Sequence, residues 1–193
     1  MRRDFPHSGL WVLAGLVTLV CVSVGAAEHA YVGNKKCKIC HLKEWKSWST
    51  SKMAQAFEVL KPGERKEAKQ NAGLDPETDY TTDVTCLPCH TTGYGAEGGF
   101  VDIESTPHLA GVGCEMCHGP GKDYIAPGTM TLKNKAYKKS ELIPLGLVDR
   151  VTEVQCVVCH STDSPFVSED YVFDFEANKT TGTHEKFPMK YEH

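Results

Sequence analysis

Cys114-Glu115-Met116-Cys117-His118 decides how this chain is read, because its pattern occurs three more times. The other copies are Cys37-Lys38-Ile39-Cys40-His41, Cys86-Leu87-Pro88-Cys89-His90 and Cys156-Val157-Val158-Cys159-His160. Cys-x-x-Cys-His is the attachment pattern of c-type haem: two thiols bond the porphyrin vinyl groups, and the next histidine lies under the ring as an iron ligand. Paired cysteines also bind zinc or act as redox dithiols. Neither use requires a histidine directly after the second cysteine, and all four pairs have one. The expectation is four covalent haems, held by Cys37, Cys40, Cys86, Cys89, Cys114, Cys117, Cys156 and Cys159, with His41, His90, His118 and His160 as proximal ligands.

Residues 1–27 read as an export signal, with Arg2 and Arg3, an apolar run from Leu10 to Val24, and small residues Gly25, Ala26 and Ala27. Residues 28–193 then form one tetrahaem domain. Retention of the signal would make it a membrane anchor. Cys21, the only cysteine outside a motif, falls within the signal, so no disulfide is expected. Export and haem attachment together point to the periplasm.

The formal net charge is −4, and about −5 without the signal. That disfavours nucleic acid as a partner. Lys133, Lys135, Lys138 and Lys139 form a local basic stretch that could dock an acidic redox protein or could simply be solvated.

Leu42, Trp45, Trp48, Met53, Ala56, Phe57 and Leu60 recur at three- and four-residue steps, predicting one helix from the first motif to Pro62-Gly63. A polar helical stretch is expected over 64–72, and a glycine-rich loop or short hairpin over 92–113. The motifs are spaced 49, 28 and 42 residues apart, so there is no equal-length repeat. The fold class expected is mainly α: short helices and long loops wrapped around stacked haems, with little sheet. The haems supply much of the core, so the apoprotein should not fold alone.

The segments Lys35-Lys36-Cys37 through His41, Ser47-Trp48, Leu60-Lys61-Pro62, Lys66-Glu67-Ala68-Lys69-Gln70, Leu74-Asp75-Pro76, Asp79-Tyr80-Thr81 and Leu109 through Gly121 resemble the tetrahaem cytochrome c-554 family. The resemblance is close over about residues 33–121 and looser beyond. It implies an all-α, haem-cored fold with haems in stacked pairs, and a periplasmic electron carrier. It also implies sixth iron ligands, and there this chain departs from the family. Met53 stands where a histidine serves the third haem. Met130 is nearest to the position that serves the first. His184 matches the tail histidine and is expected at the fourth. The family's second haem has an open face, which His108 could fill.

An intact helix would put Met53 about 18 Å beyond His41, while the two axial ligands of one iron lie only about 4 Å apart. Met53 then cannot serve the first haem. A methionine on an apolar stripe is also an ordinary core residue. His29, His193 and Met189 lie near the termini, and Met116 is pinned inside its own motif.

The function expected is electron relay between periplasmic redox proteins or from a membrane quinol-oxidising complex. The alternatives are a reductase of small nitrogen oxides or hydroxylamine at an open haem, and a subunit of a multihaem filament. No nucleophile triad or phosphate loop suggests other chemistry.

Overall fold

The computed structural model describes residues 29–162, 164 and 171–188. The expected signal, with Cys21, and the terminal Met189 and His193 lie outside the described residues. The chain is built from short helices joined by turns. Among the described residues there is no strand, only an isolated antiparallel bridge between Thr91 and Ala110. No described helix is long and apolar enough to cross a membrane.

Each motif forms a single helical turn. α1 (Asn34–Lys38) carries the first, α4 (Leu87–His90) the second, α5 (Cys114–His118) the third and α7 (Glu153–Val157) the fourth. In the first, the amides of Cys40 and His41 both donate to the Cys37 carbonyl, at 3.2 and 2.9 Å. In the fourth, those of Cys159 and His160 donate to the Cys156 carbonyl, at 3.1 and 2.9 Å. A helical turn brings positions i, i+3 and i+4 to one side. Both thiols and the histidine therefore face one ligand.

The long helix expected over 42–60 is not formed. α2 ends at Ser49 (Leu42–Ser49), and turns follow until a 3-10 turn at Glu58–Leu60. Ser49 Oγ donates to the Lys46 carbonyl at 2.8 Å and Thr50 Oγ1 to the Ser47 carbonyl at 3.0 Å. Such local side-chain bonds compete with helix propagation. The apolar stripe is accordingly split. Trp45 and Trp48 line a cavity, while Phe57 and Leu60 join a separate cluster with Cys86, Leu87, Phe100 and Leu109.

α3 (Lys66–Asn71) is the expected polar helix, shortened at both ends. Residues 92–113 are turns and a 3-10 turn at Pro107–Leu109, with the Thr91–Ala110 bridge as their only sheet-like pairing. α6 (Lys139–Leu142) and a 3-10 turn at Ile143–Leu145 begin where the basic stretch ends. They bring Leu142 to a second cluster with Tyr124 and Tyr137, flanked by Met130, Ile125, Leu145 and Leu147.

The turn after the third motif shows why glycine is needed there. Gly119 has φ 81°, and a Cβ on it would lie 2.1 Å from the Gly146 carbonyl oxygen. The contact is locked by Val148 N–H donating to the His118 carbonyl at 3.0 Å.

Candidate functional site

The first and third motifs face a shared cavity of about 960 Å³. Cys37 and His41 line one part, and Cys114, His118 and His184 another. Trp45, Trp48, Leu142, Leu147 and Phe187 supply apolar wall, and Met130 faces the same space. That volume is at the upper end of small-molecule sites, about 300–1,000 Å³. Apolar walls suit a porphyrin, and a cysteine pair with an i+4 histidine is the donor set for covalent haem attachment. Among the described residues, no three His, Cys, Asp or Glu side chains converge as a zinc site would require. The residues present therefore fit covalent haem.

The motifs approach one another in pairs. Cys37 and Cys114 lie close enough for each thiol to perturb the other, which pushes Cys37 up and Cys114 down from the usual thiol range. Cys89 and Cys159 form a second such pair, with Cys89 lowered to about 7 and Cys159 pushed up. Cys117 is raised to about 11, chiefly by burial, with Cys156 and Cys114 adding to the effect. These neighbours place the first motif by the third, the third by the fourth, and the fourth by the second.

Opposite His118 stands His184. The ring centroids are 6.1 Å apart and the planes 28° from parallel. Two imidazoles bound to opposite sides of one metal, each through a bond of about 2 Å, leave their centroids at about this separation. Nδ1 of His184 bonds the Glu185 carbonyl at 2.8 Å, which leaves Nε2 for a metal. Burial, with His184, His41 and Lys139 nearby, holds His118 below the usual imidazole value. That favours the neutral, ligating form.

His184 therefore faces the third motif, not the fourth as expected. The ring is carried there by Glu185, whose amide donates to Ser47 Oγ on α2 at 2.9 Å. Met53, expected at the third motif, does not line the cavity, and His184 is the side chain that faces His118 there. Met53 sits half-buried in the turns after α2, and its carbonyl accepts from Val112 N–H at 3.0 Å. The helix-length argument lapses, since no helix runs through Met53. Met130 lies in the cavity that also holds Cys37 and His41.

The other proximal histidines are oriented through Nδ1. His90 Nδ1 contacts the Ala56 carbonyl at 2.5 Å, and His160 Nδ1 contacts the Tyr171 hydroxyl at 3.1 Å. The His160 ring also stacks on Phe173 at 4.8 Å. His108 is exposed on the Pro107–Leu109 turn. Its ring packs on Gly33 at the start of α1, where a Cβ would come within 2.9 Å of His108 Cδ2. It therefore lies at the helix of the first motif rather than over the second. The turn buries Leu109, its neighbour, and so directs His108 outward. His29, near the N-terminal edge of the described chain, bonds Asp123 at 2.6 Å.

Sequence reasoning missed Glu115. It is only 2% exposed inside the third motif. Its carboxylate accepts the amides of Val32 (3.0 and 3.2 Å), Gly33 (2.7 Å) and Gly121 (2.7 Å). It thereby fastens the entry to α1 and the Gly119–Gly121 turn onto α5. Two neighbours act with it. Asn34 Oδ1 accepts Cys114 N–H at 2.8 Å. Thr92 Oγ1 donates to the Gly111 carbonyl at 2.7 Å and accepts Gly113 N–H at 2.9 Å. The only sequence signal was a carboxylate between two cysteines destined for burial.

The family model described as cytochrome c554 and c-prime matches residues 36–119. A cytochrome c-554 of Nitrosomonas europaea is 41% identical over 156 residues, covering 77% of this chain. The chain spans 65% of that relative's length. The solved structure of reduced cytochrome c554 from Nitrosomonas europaea superposes with a TM-score of 0.72 at 34% identity, covering 85% of this chain and 89% of that one.

Proposed function

The chain belongs to the cytochrome c554 family, whose members are multihaem c-type electron carriers, and from that premise we propose that it relays electrons through four covalent haems in the periplasm. The observation that carries the reading is the succession of the motifs. Cys37 lies by Cys114 and Cys89 by Cys159, each pair close enough for the two thiols to perturb one another, and Cys156 is near enough to act on Cys117. Four attachment points placed in this succession suit a path that needs no moving part.

Bound haem supplies one-electron ferric–ferrous chemistry. The protein's own residues hold and tune it. The eight motif cysteines anchor the rings. His41, His90, His118 and His160 would hold the irons, with Nδ1 of His90 and of His160 held by Ala56 and Tyr171. His184, facing His118, would hold the third haem. Met130 would hold the first together with His41, being the one further sulfur or imidazole donor outside the motifs that lines the cavity among the described residues. A thioether raises the potential relative to a second imidazole, so the first site should be the more oxidising of that pair.

Other redox proteins or a membrane quinol-oxidising complex are the partners this role requires. A reductive titration tests the reading. The purified protein should take up four electrons per chain and pass them to a second cytochrome in a stopped-flow mix. Uptake of fewer electrons, or reduction that no second protein can reverse, would defeat it.

A further inference from the structure

The first motif lies within a basic stretch of the surface that almost no carboxylate offsets. Between residues 34 and 52 there are six lysines and a single carboxylate, Glu44, which is half-buried against the cavity. Lys35, Lys36 and Lys38 belong to α1, Lys43 and Lys46 to α2, and Lys52 follows. All but Lys38 are exposed. None of the six forms an ion pair among the described residues, whereas Lys61, Lys66, Lys139 and Lys179 each do. Lys38 lies 3.8 Å from the Trp45 ring centroid, tying α1 to α2 through a cation–π contact.

Lys35 with Lys38, and Lys43 with Lys46, are spaced i, i+3, so each pair crowds one side of its helix. Like charges so placed cost helix stability. The fold does not need this arrangement, and it persists in a chain whose net charge is −4. Within the lysines lie Ile39, 69% exposed, Leu42, 44% exposed, and the exposed Cys40. The chain leading into the second motif carries carboxylates instead, Asp75, Glu77, Asp79 and Asp83, with lysines interleaved in space: Lys66 pairs with Glu77.

We propose that this face, α1 and α2 with their six lysines around Ile39 and Leu42, docks an acidic redox protein that exchanges electrons with the first site. The inference rests on the relay reading. The exchange moves one electron from the reduced centre of one protein to the oxidised centre of the other, with no bond made or broken and no proton required. An anionic membrane is the poorer fit. A helix lying on lipid presents Trp, Phe or Leu to it, and here Trp45 and Trp48 are turned into the cavity.

The test compares two charge reversals of equal size in the holoprotein. One is Lys36→Glu with Lys46→Glu on this face. The other is Lys133→Glu with Lys138→Glu on the remaining basic stretch. Unchanged visible spectra establish that the sites are intact. The probes are a small acidic b-type cytochrome and a small basic c-type cytochrome, mixed in stopped flow over a series of salt concentrations. Steering by complementary charge changes association rates by 10- to 1,000-fold. The Lys36/Lys46 variant should therefore lose about ten-fold or more with the acidic probe and lose most of its salt dependence. The Lys133/Lys138 variant should lose far less, and neither should slow the basic probe. Equal losses in the two variants would overturn the proposal, as would binding to anionic vesicles at physiological salt without salt-dependent exchange with the acidic probe. If the unaltered protein exchanges electrons with neither probe, the relay reading falls and the docking proposal with it. Exchange with both probes, indifferent to Lys36 and Lys46, overturns the docking proposal alone.

Discussion

Replacing Glu115 by glutamine should destabilise the whole molecule far more than a single-atom change suggests. The carboxylate is 2% exposed and accepts three backbone amides through its two oxygens. Glutamine keeps one acceptor oxygen and puts an NH2 group where the other was. If the amide oxygen takes the Oε2 place, Gly121 N–H faces a donor; in the opposite orientation, Gly33 N–H does. One buried amide is orphaned either way, which costs about 1–3 kcal/mol. The surviving bonds also fall from charge-assisted to neutral strength, losing about 1 kcal/mol each. The sum is about 3–5 kcal/mol. For a domain of this size that lowers the melting temperature by on the order of 10 °C. Unfolding of the holoprotein at neutral pH, followed by its visible absorption, measures the loss. A shift below about 1 °C would show that this carboxylate does not hold α1 to α5.

Three further outcomes follow from the site. His184→Ala should open the third site, so that a high-spin component and carbon monoxide binding arise in a protein that still carries all its haems. Met130→His should remove the methionine–iron charge-transfer band at the red edge of the oxidised spectrum and lower one potential, whereas Met53→Leu should leave that band intact. Asp102 accepts Ser105 N–H, the Ser105 hydroxyl and Glu104 N–H, and these bonds hold its carboxyl below the usual aspartate range. Its contribution to the 102–106 loop is complete above the ordinary aspartate pKa and is lost as pH falls through the lowered value. Asp102→Asn should flatten that acid-side dependence, read by amide exchange in the loop.

The attachment points were legible in the sequence because covalent haem chemistry is local. Two thiols and a histidine on one helical turn need nothing from the rest of the chain. The glycine-rich run and the shortage of sheet were legible for the same reason. The helix over 42–60 was misread because its apolar period is real but serves two clusters. Ser49 and Thr50 break it with their own backbone bonds. The His184 pairing was misread because it depends on Glu185 reaching α2 across 138 residues. Glu115 was invisible because its partners, Val32, Gly33 and Gly121, converge only after the turn at Gly119 is formed. Ligand type is thus written locally, and ligand partnership is written in tertiary contacts.

The intact mass of the exported protein, with peptide mapping, tests the central claim most directly. The account predicts four haem additions, one on each peptide bearing Cys37 and Cys40, Cys86 and Cys89, Cys114 and Cys117, and Cys156 and Cys159. Any motif peptide recovered with free thiols or with bound zinc would break the path between first and second motifs and contradict the account.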